Sequence, residues 1–311
     1  MVIENKEIIA KLLKKAAENR HLLVDLVHAA GYAHIGGSLS SCDIITALYY
    51  HFINFSLENQ NHPNRDRFVL SKGHAGNMLY CILADIGFYN KAELRKEFKK
   101  YLGRWGEHPN RTLNPGIEIS SGSLGHGLPI ALGMALAGYL DGSTRRIFCL
   151  IGDGELQEGS NWESIMSAGH HKYRNLILLV DHNKVQGTRF VNEILNSGSI
   201  AHRIANFGWD VREVDDGNDM FQLFSALSNL PEAKSERGKP ICLLLNTIKG
   251  CGVDFFENDS ANCHAVTIKD EMRENAHISI DRKLLIELSK YDMNKRLIAK
   301  GKQYDQNMET W

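Results

Sequence analysis

Residues Gly152–Val185 read GDGELQEGSNWESIMSAGHHKYRNLILLVDHNKV. An apolar run (146–150) ends just before Gly152-Asp153-Gly154, and a second (Leu176–Val180) ends just before Asn183. The segment between them, Asn161–Lys172, has helical patterning. Strand, helix and strand in that order predict a parallel pair, with Asp153 and Asn183 beyond neighbouring carboxyl ends, where open parallel sheets bind ligands. Asp153 brings a carboxylate and Asn183 an amide oxygen, and a nearby backbone carbonyl such as that of Val185 can add a third ligand. An all-oxygen set of this kind suits Mg²⁺ or Ca²⁺, with the remaining positions left to water and phosphate. Gly152 and Gly154 permit a tight turn and close approach of a phosphate. The competing reading is an ordinary strand-to-helix turn capped by an aspartate. A GDG triplet alone does not separate the two, and Asn183 at the next strand end favours the first.

The alternation continues on both sides. Strands are expected at 67–70, 210–214 and 241–246, and helices at 5–30, 42–52, 90–101, 128–140, 200–207 and 220–229. Continuous apolar strands alternating with helices predict an α/β fold, doubly wound, with a mostly parallel sheet covered by helices on both faces. Leu128–Leu140 (LPIALGMALAGYL) is rich in small residues and apolar on most sides, which predicts a buried helix. One large domain over 1–275 is expected, followed by a C-terminal helix (Leu284–Leu297) and a polar tail within 276–311.

Composition narrows the function classes. A net charge of −1 gives no global field for nucleic acid or anionic membrane. The longest apolar runs are too short to span a bilayer, and the charged N-terminus lacks the apolar core of a signal peptide. The six cysteines are scattered with no CxxC pair, as expected of a protein in the reducing cytoplasm.

The filling of the GDG…N segment is more specific than its frame. GDGELQEG, then Glu163, Ala168-Gly169, Asn175-Leu176 and DHNK resemble the thiamine-diphosphate-binding segment of transketolases. Other stretches agree in order: GYAHIGGS (31–38), SKGHAGNMLY (71–80), EHP (107–109), PGIEISSGSLGHG (115–127) and NTIKGCGVDFFE (246–257). The resemblance covers roughly residues 20–265. It departs from the family pattern at Glu107, where glycine is usual, at His126, where glutamine is frequent, and at Cys263-His264-Ala265, where WHG is usual.

The resemblance implies a set of roles. Asp153, Asn183 and the Val185 carbonyl would hold Mg²⁺ (or Ca²⁺). Gly154, Asn183, His74 and the backbone of Gly122, Ser123 and Leu124 would contact the diphosphate of thiamine diphosphate. His34, His108 and His264 would line the substrate funnel, where imidazoles exchange protons with sugar hydroxyls near neutral pH. Glu158 and Glu163 resemble acidic residues placed at the subunit interface, between two cofactor sites.

The glutamate that activates the cofactor, the aromatic stack on its ring and the arginines that hold sugar phosphate belong, in this family, to a second, pyrimidine-binding domain. The chain is expected to be the diphosphate-binding subunit of a split transketolase. It would join a C-terminal subunit, as an α2β2 assembly, to transfer two-carbon ketol units between sugars or sugar phosphates. Three alternatives stand beside this reading. They are a 2-oxo acid dehydrogenase E1 α-like subunit, which lacks LQEG; a nicotinamide oxidoreductase, which would need a GxGxxG after a first strand; and a non-catalytic binding protein on the same fold.

Overall fold

A computed structural model describes residues 2–232, 234 and 236–290 of the chain. Five strands form one parallel sheet: β1 (Arg67–Leu70), β2 (Ile147–Gly152), β3 (Leu176–His182), β4 (Asp210–Val214) and β5 (Ile241–Asn246). Their order across the sheet is β1-β2-β3-β5-β4, so the chain turns back on itself after β3.

Each strand distributes alternate residues to two cores. Phe148, Leu150, Ile177, Leu179, Leu243 and Leu245 face one core, shared with helices Val2–Ala30, Cys42–Ala47, Gly76–Asp85, Met220–Ser228 and Asp270–Lys290. Cys149, Ile151, Leu178, Val180, Cys242 and Leu244 face the other, under helices Gly127–Leu140, Gly159–His171 and Ile200–Asn206. Burial on both faces is why these strands read as unbroken apolar runs. All six cysteines are buried and free, and no helix among the described residues is long and apolar enough to cross a membrane.

Three elements differ from their sequence reading. The helix expected over 90–101 spans Lys91–Glu97, because Lys99 and Leu102 take left-handed backbone conformations (φ +56° and +59°) that end it. Helix Gly127–Leu140 is buried only along Gly127, Leu128, Ala131, Ala135 and Gly138, while Ile130, Leu136 and Leu140 are exposed. Its pattern predicts burial on most sides, but one apolar face lies outside. The last helix begins at Asp270, well before Leu284, and its expected extension to Leu297 lies outside the described residues.

Two features aim the loops at the sheet's carboxyl edge. β2 and β3 pair in register with Gly152 opposite Asp181, so Asp153 and Asn183 leave adjacent strands side by side. A short antiparallel pair, Ala33–His34 with Ala265–Val266, joins segments more than two hundred residues apart. There Ile35 N donates to the His264 carbonyl (3.2 Å) and Gly36 N to the Cys263 carbonyl (2.9 Å).

Candidate functional site

A cavity of about 320 Å³ opens at the carboxyl ends of β2 and β3. Its floor is the turn Gly152–Gly154 together with Asn183 and Val185. Lys184, between the last two, is left-handed (φ +66°), and this reversal lets both neighbours face the cavity. Asp153 accepts hydrogen bonds from Gly154 N (2.8 Å) and Lys184 N (2.6 Å), and Asn183 Oδ1 accepts from Val185 N (3.1 Å). Burial, then the nearby Asp181 carboxylate, pushes the Asp153 carboxyl up to about 6.

The opposite wall is four imidazoles. The His34 ring centroid lies 4.9 Å from that of His264 and 5.9 Å from those of His74 and His108, and His74 lies 5.5 Å from His264. Burial holds His74 well below the ordinary histidine range. Burial also lowers His108 and, with Lys249 and His34 nearby, takes His264 down to about 4. Only His34 among the four makes a ring hydrogen bond among the described residues: Nδ1 to Glu107 Oε1 at 2.8 Å. Glycines bring these rings together. A Cβ on Gly37 would stand 3.0 Å from the His74 ring, and one on Gly122, whose φ is +143°, 3.1 Å from that of His108.

Gly122, Leu124, Gly154 and all four histidines line the cavity with Asp153, Asn183 and Val185. Ser123 and Glu158 are exposed and stand outside its lining, and Glu163 is exposed on the outer face of its helix. Several other residues lie in or beside the quoted segments, with no role assigned from the sequence. Lys72 and Asp181 form a completely buried ion pair, with Ser40 Oγ (2.6 Å), Ser41 Oγ (3.1 Å) and Thr247 Oγ1 also donating to Asp181. Glu155, raised by burial, accepts from Ser71 Oγ, Gly125 N (2.9 Å) and Gly152 N (3.2 Å), and so ties the Gly122–Gly125 loop to the GDG turn. Lys249, lowered by burial to about 8, also lines the cavity.

This lining fits a metal-bound organic diphosphate. Among the described residues no group of three or more His, Cys, Asp or Glu could hold a metal. The oxygen set here is one carboxylate, one amide and one carbonyl, which suffices for a hard cation only if phosphate and water complete its shell. A Cβ on Gly152 would meet nothing within 4 Å, so the glycine leaves open room in the cavity. His264 Nδ1 is buried without a hydrogen-bond partner among the described residues, and an orphaned polar atom of that kind calls for a ligand group to satisfy it.

Comparison with known proteins places the chain. The family model described as "Transketolase, thiamine diphosphate binding domain" matches residues 12–311. An apulose-4-phosphate transketolase subunit of Actinobacillus succinogenes is 36% identical over 263 residues, covering 84% of this chain and 93% of that protein. A 6-deoxy-6-sulfo-D-fructose transketolase subunit of a Clostridium species is also 36% identical, covering 85% and 94%. Among solved structures, transketolase from Campylobacter jejuni superposes with a TM-score of 0.75 at 28% identity, over 91% of this chain and 48% of that one. The chain therefore spans nearly the full length of the subunit relatives and about half that of the solved enzyme.

Proposed function

This chain belongs to the transketolase family, as its thiamine diphosphate-binding domain, and on that premise we propose that it is the diphosphate-binding subunit of a two-chain transketolase. The complex transfers a two-carbon ketol unit from a ketose phosphate to an aldose phosphate. The observation that carries this reading is the β2–β3 register, which sets Asp153 and Asn183 side by side beneath four histidines.

Asp153, Asn183 and the Val185 carbonyl hold Mg²⁺ in this reading. The raised Asp153 carboxyl supports it, because a buried carboxylate beside Asp181 is stabilised by a cation. Gly154, Asn183, His74 and the backbone of Gly122–Leu124 cradle the diphosphate. When bound, thiamine diphosphate supplies the nucleophilic carbon and the electron sink for breaking and making a bond beside a carbonyl. The chain's own part is to anchor the diphosphate end, exclude water and move protons. His34, His108 and His264 stand where substrate hydroxyls enter, and burial keeps His108 and His264 neutral there, able to exchange hydrogen bonds with those hydroxyls. The partner subunit supplies the pyrimidine-binding half, in an α2β2 assembly, and the complex works in the cytoplasm.

The test is reconstitution with the partner subunit, thiamine diphosphate and Mg²⁺, followed by an assay for ketol transfer between sugar phosphates. Transfer is expected from the complex and not from the chain alone. Transfer by the chain alone would refute the two-chain reading. Decarboxylation of a 2-oxo acid without ketol transfer would replace it with the E1 α-like alternative.

A further inference from the structure

We propose that Glu107 is a positioning residue for His34, fixing its ring as the Nδ1–H tautomer and leaving Nε2 as the proton acceptor of the four-histidine wall. The inference rests on the transketolase reading of this site and goes beyond it, to a residue outside the cavity lining.

The geometry is specific. One carboxylate oxygen, Glu107 Oε1, accepts both the His34 backbone N–H and His34 Nδ1, each at 2.8 Å. Two contacts from one residue to one oxygen fix the ring's rotation as well as its tautomer. The other oxygen, Oε2, is paired with Lys99, which also donates to the Tyr32 carbonyl. Asn77 spans the same joint, with Nδ2 donating to the His34 carbonyl at 2.7 Å. The carboxylate is therefore held by Lys99 and, at 3.4 Å from Oε1, by Asn77 Nδ2 as well as by His34.

An ionised carboxylate accepts and cannot donate, so Nδ1 must carry the hydrogen. Burial alone would raise Glu107, but the His34 and Lys99 contacts outweigh it and hold the carboxyl at about 2. It is thus ionised throughout the working range. Nε2, the remaining nitrogen, has no hydrogen-bond partner among the described residues. Among the described residues, no carboxylate hydrogen-bonds the ring of His74, His108 or His264. A proton released by a substrate hydroxyl at this wall therefore passes to His34 Nε2, where the resulting imidazolium is stabilised by Glu107.

The experiment uses the full chain labelled with ¹⁵N, with the His34 signals assigned by His34→Gln. The imidazole nitrogen shifts report the tautomer directly, and the native protein alone tests the claim. Native protein and Lys99→Gln are expected to show His34 as Nδ1–H, Glu107→Gln to retain it through its amide oxygen, and Glu107→Leu to lose it. An Nε2–H tautomer in the native protein, or an unchanged tautomer in Glu107→Leu, overturns the proposal. In the reconstituted complex, Glu107→Leu should lower kcat by up to about 100-fold, the lower end of what a positioned proton acceptor contributes, with KM little changed, and Glu107→Gln should restore most of it. A loss confined to KM would also overturn it. The tautomer readout needs no partner or cofactor, so it stands even if the complex proves to catalyse another reaction.

Discussion

Lys184 donates its backbone N–H to the Asp153 carboxylate at 2.6 Å, across 31 positions of sequence. The bond ties Asp153 to the loop that carries Asn183 and Val185, and depends on the left-handed turn at Lys184. Asp153 does cap the short helix Gly154–Gln157 through the Gly154 N–H, but its second oxygen is held by the neighbouring strand's loop, which a cap alone does not require.

From this follows a test of the metal set. In the complex with the partner subunit, thiamine diphosphate with Mg²⁺ at about 100 times its Kd should stabilise the folded state by about 2.7 kcal/mol. Asp153→Asn keeps the shape and removes the charge, so calorimetry should show at least about a 10-fold weaker affinity, and the stabilisation at the same ligand concentration should fall to about 1.4 kcal/mol or less. An unchanged stabilisation would remove Asp153 from the metal set.

Breaking the buried Lys72–Asp181 pair should be strongly destabilising. Both side chains are completely buried, and the Lys72 charge outweighs burial to hold Asp181 below the usual carboxylate range. Lys72→Met leaves an unpaired charge in the core and should cost about 3–5 kcal/mol, read as a lower denaturation midpoint with an unchanged slope. A loss under about 1 kcal/mol would mean that Ser40, Ser41 and Thr247 satisfy Asp181 without the lysine.

That pair also marks where the sequence stops being legible. Strands β2, β3 and β5 could be read because burial on both faces leaves unbroken apolar runs, and Asp153 and Asn183 because strand ends predict a shared edge. Lys72 and Asp181 lie 109 residues apart, and neither carries a local signal that it meets an opposite charge. The same holds for Arg20, buried against Asp43 and the Cys251 carbonyl. Helix Gly127–Leu140 misleads for another reason. Its apolar stripe continues onto a face that the described chain leaves exposed, and a hydrophobic pattern reports that a face is apolar, not what covers it.

Asp85 should set a limit in acid. Burial would raise its carboxyl, but bonds from Lys91, Tyr50 and Lys15 outweigh this and hold it at about 2, against 3.8 in the unfolded chain. A carboxyl lowered on folding stabilises above its unfolded value and loses that stabilisation as pH falls through the folded one. Its side chain is 8% exposed, so the contribution near neutral pH is roughly 2 kcal/mol. Asp85→Asn should be less stable than the native chain by about that amount at pH 7, and the gap should close between about pH 4 and pH 2. Denaturant midpoints measured across this range decide it, and a gap that stays constant with pH would contradict the assignment.

Gly36 should prove to be a packing constraint on His264. A Cβ at Gly36 would stand 2.5 Å from the Cys263 carbonyl oxygen and 2.6 Å from its Sγ, closer than packed atoms tolerate. The Gly36 N–H donates to that same carbonyl, so the chain cannot separate without breaking the bond that docks 263–266 on 33–36. Gly36→Ala should therefore cost about 1–3 kcal/mol and displace the His264 ring from His34. Cys263→Ala removes the sulfur contact but leaves the backbone one, so the double variant should recover only part of the loss, as a coupling energy of at least about 0.5 kcal/mol. If Gly36→Ala melts with the native chain and its His264 signals do not move, the close approach does not hold the histidine in place.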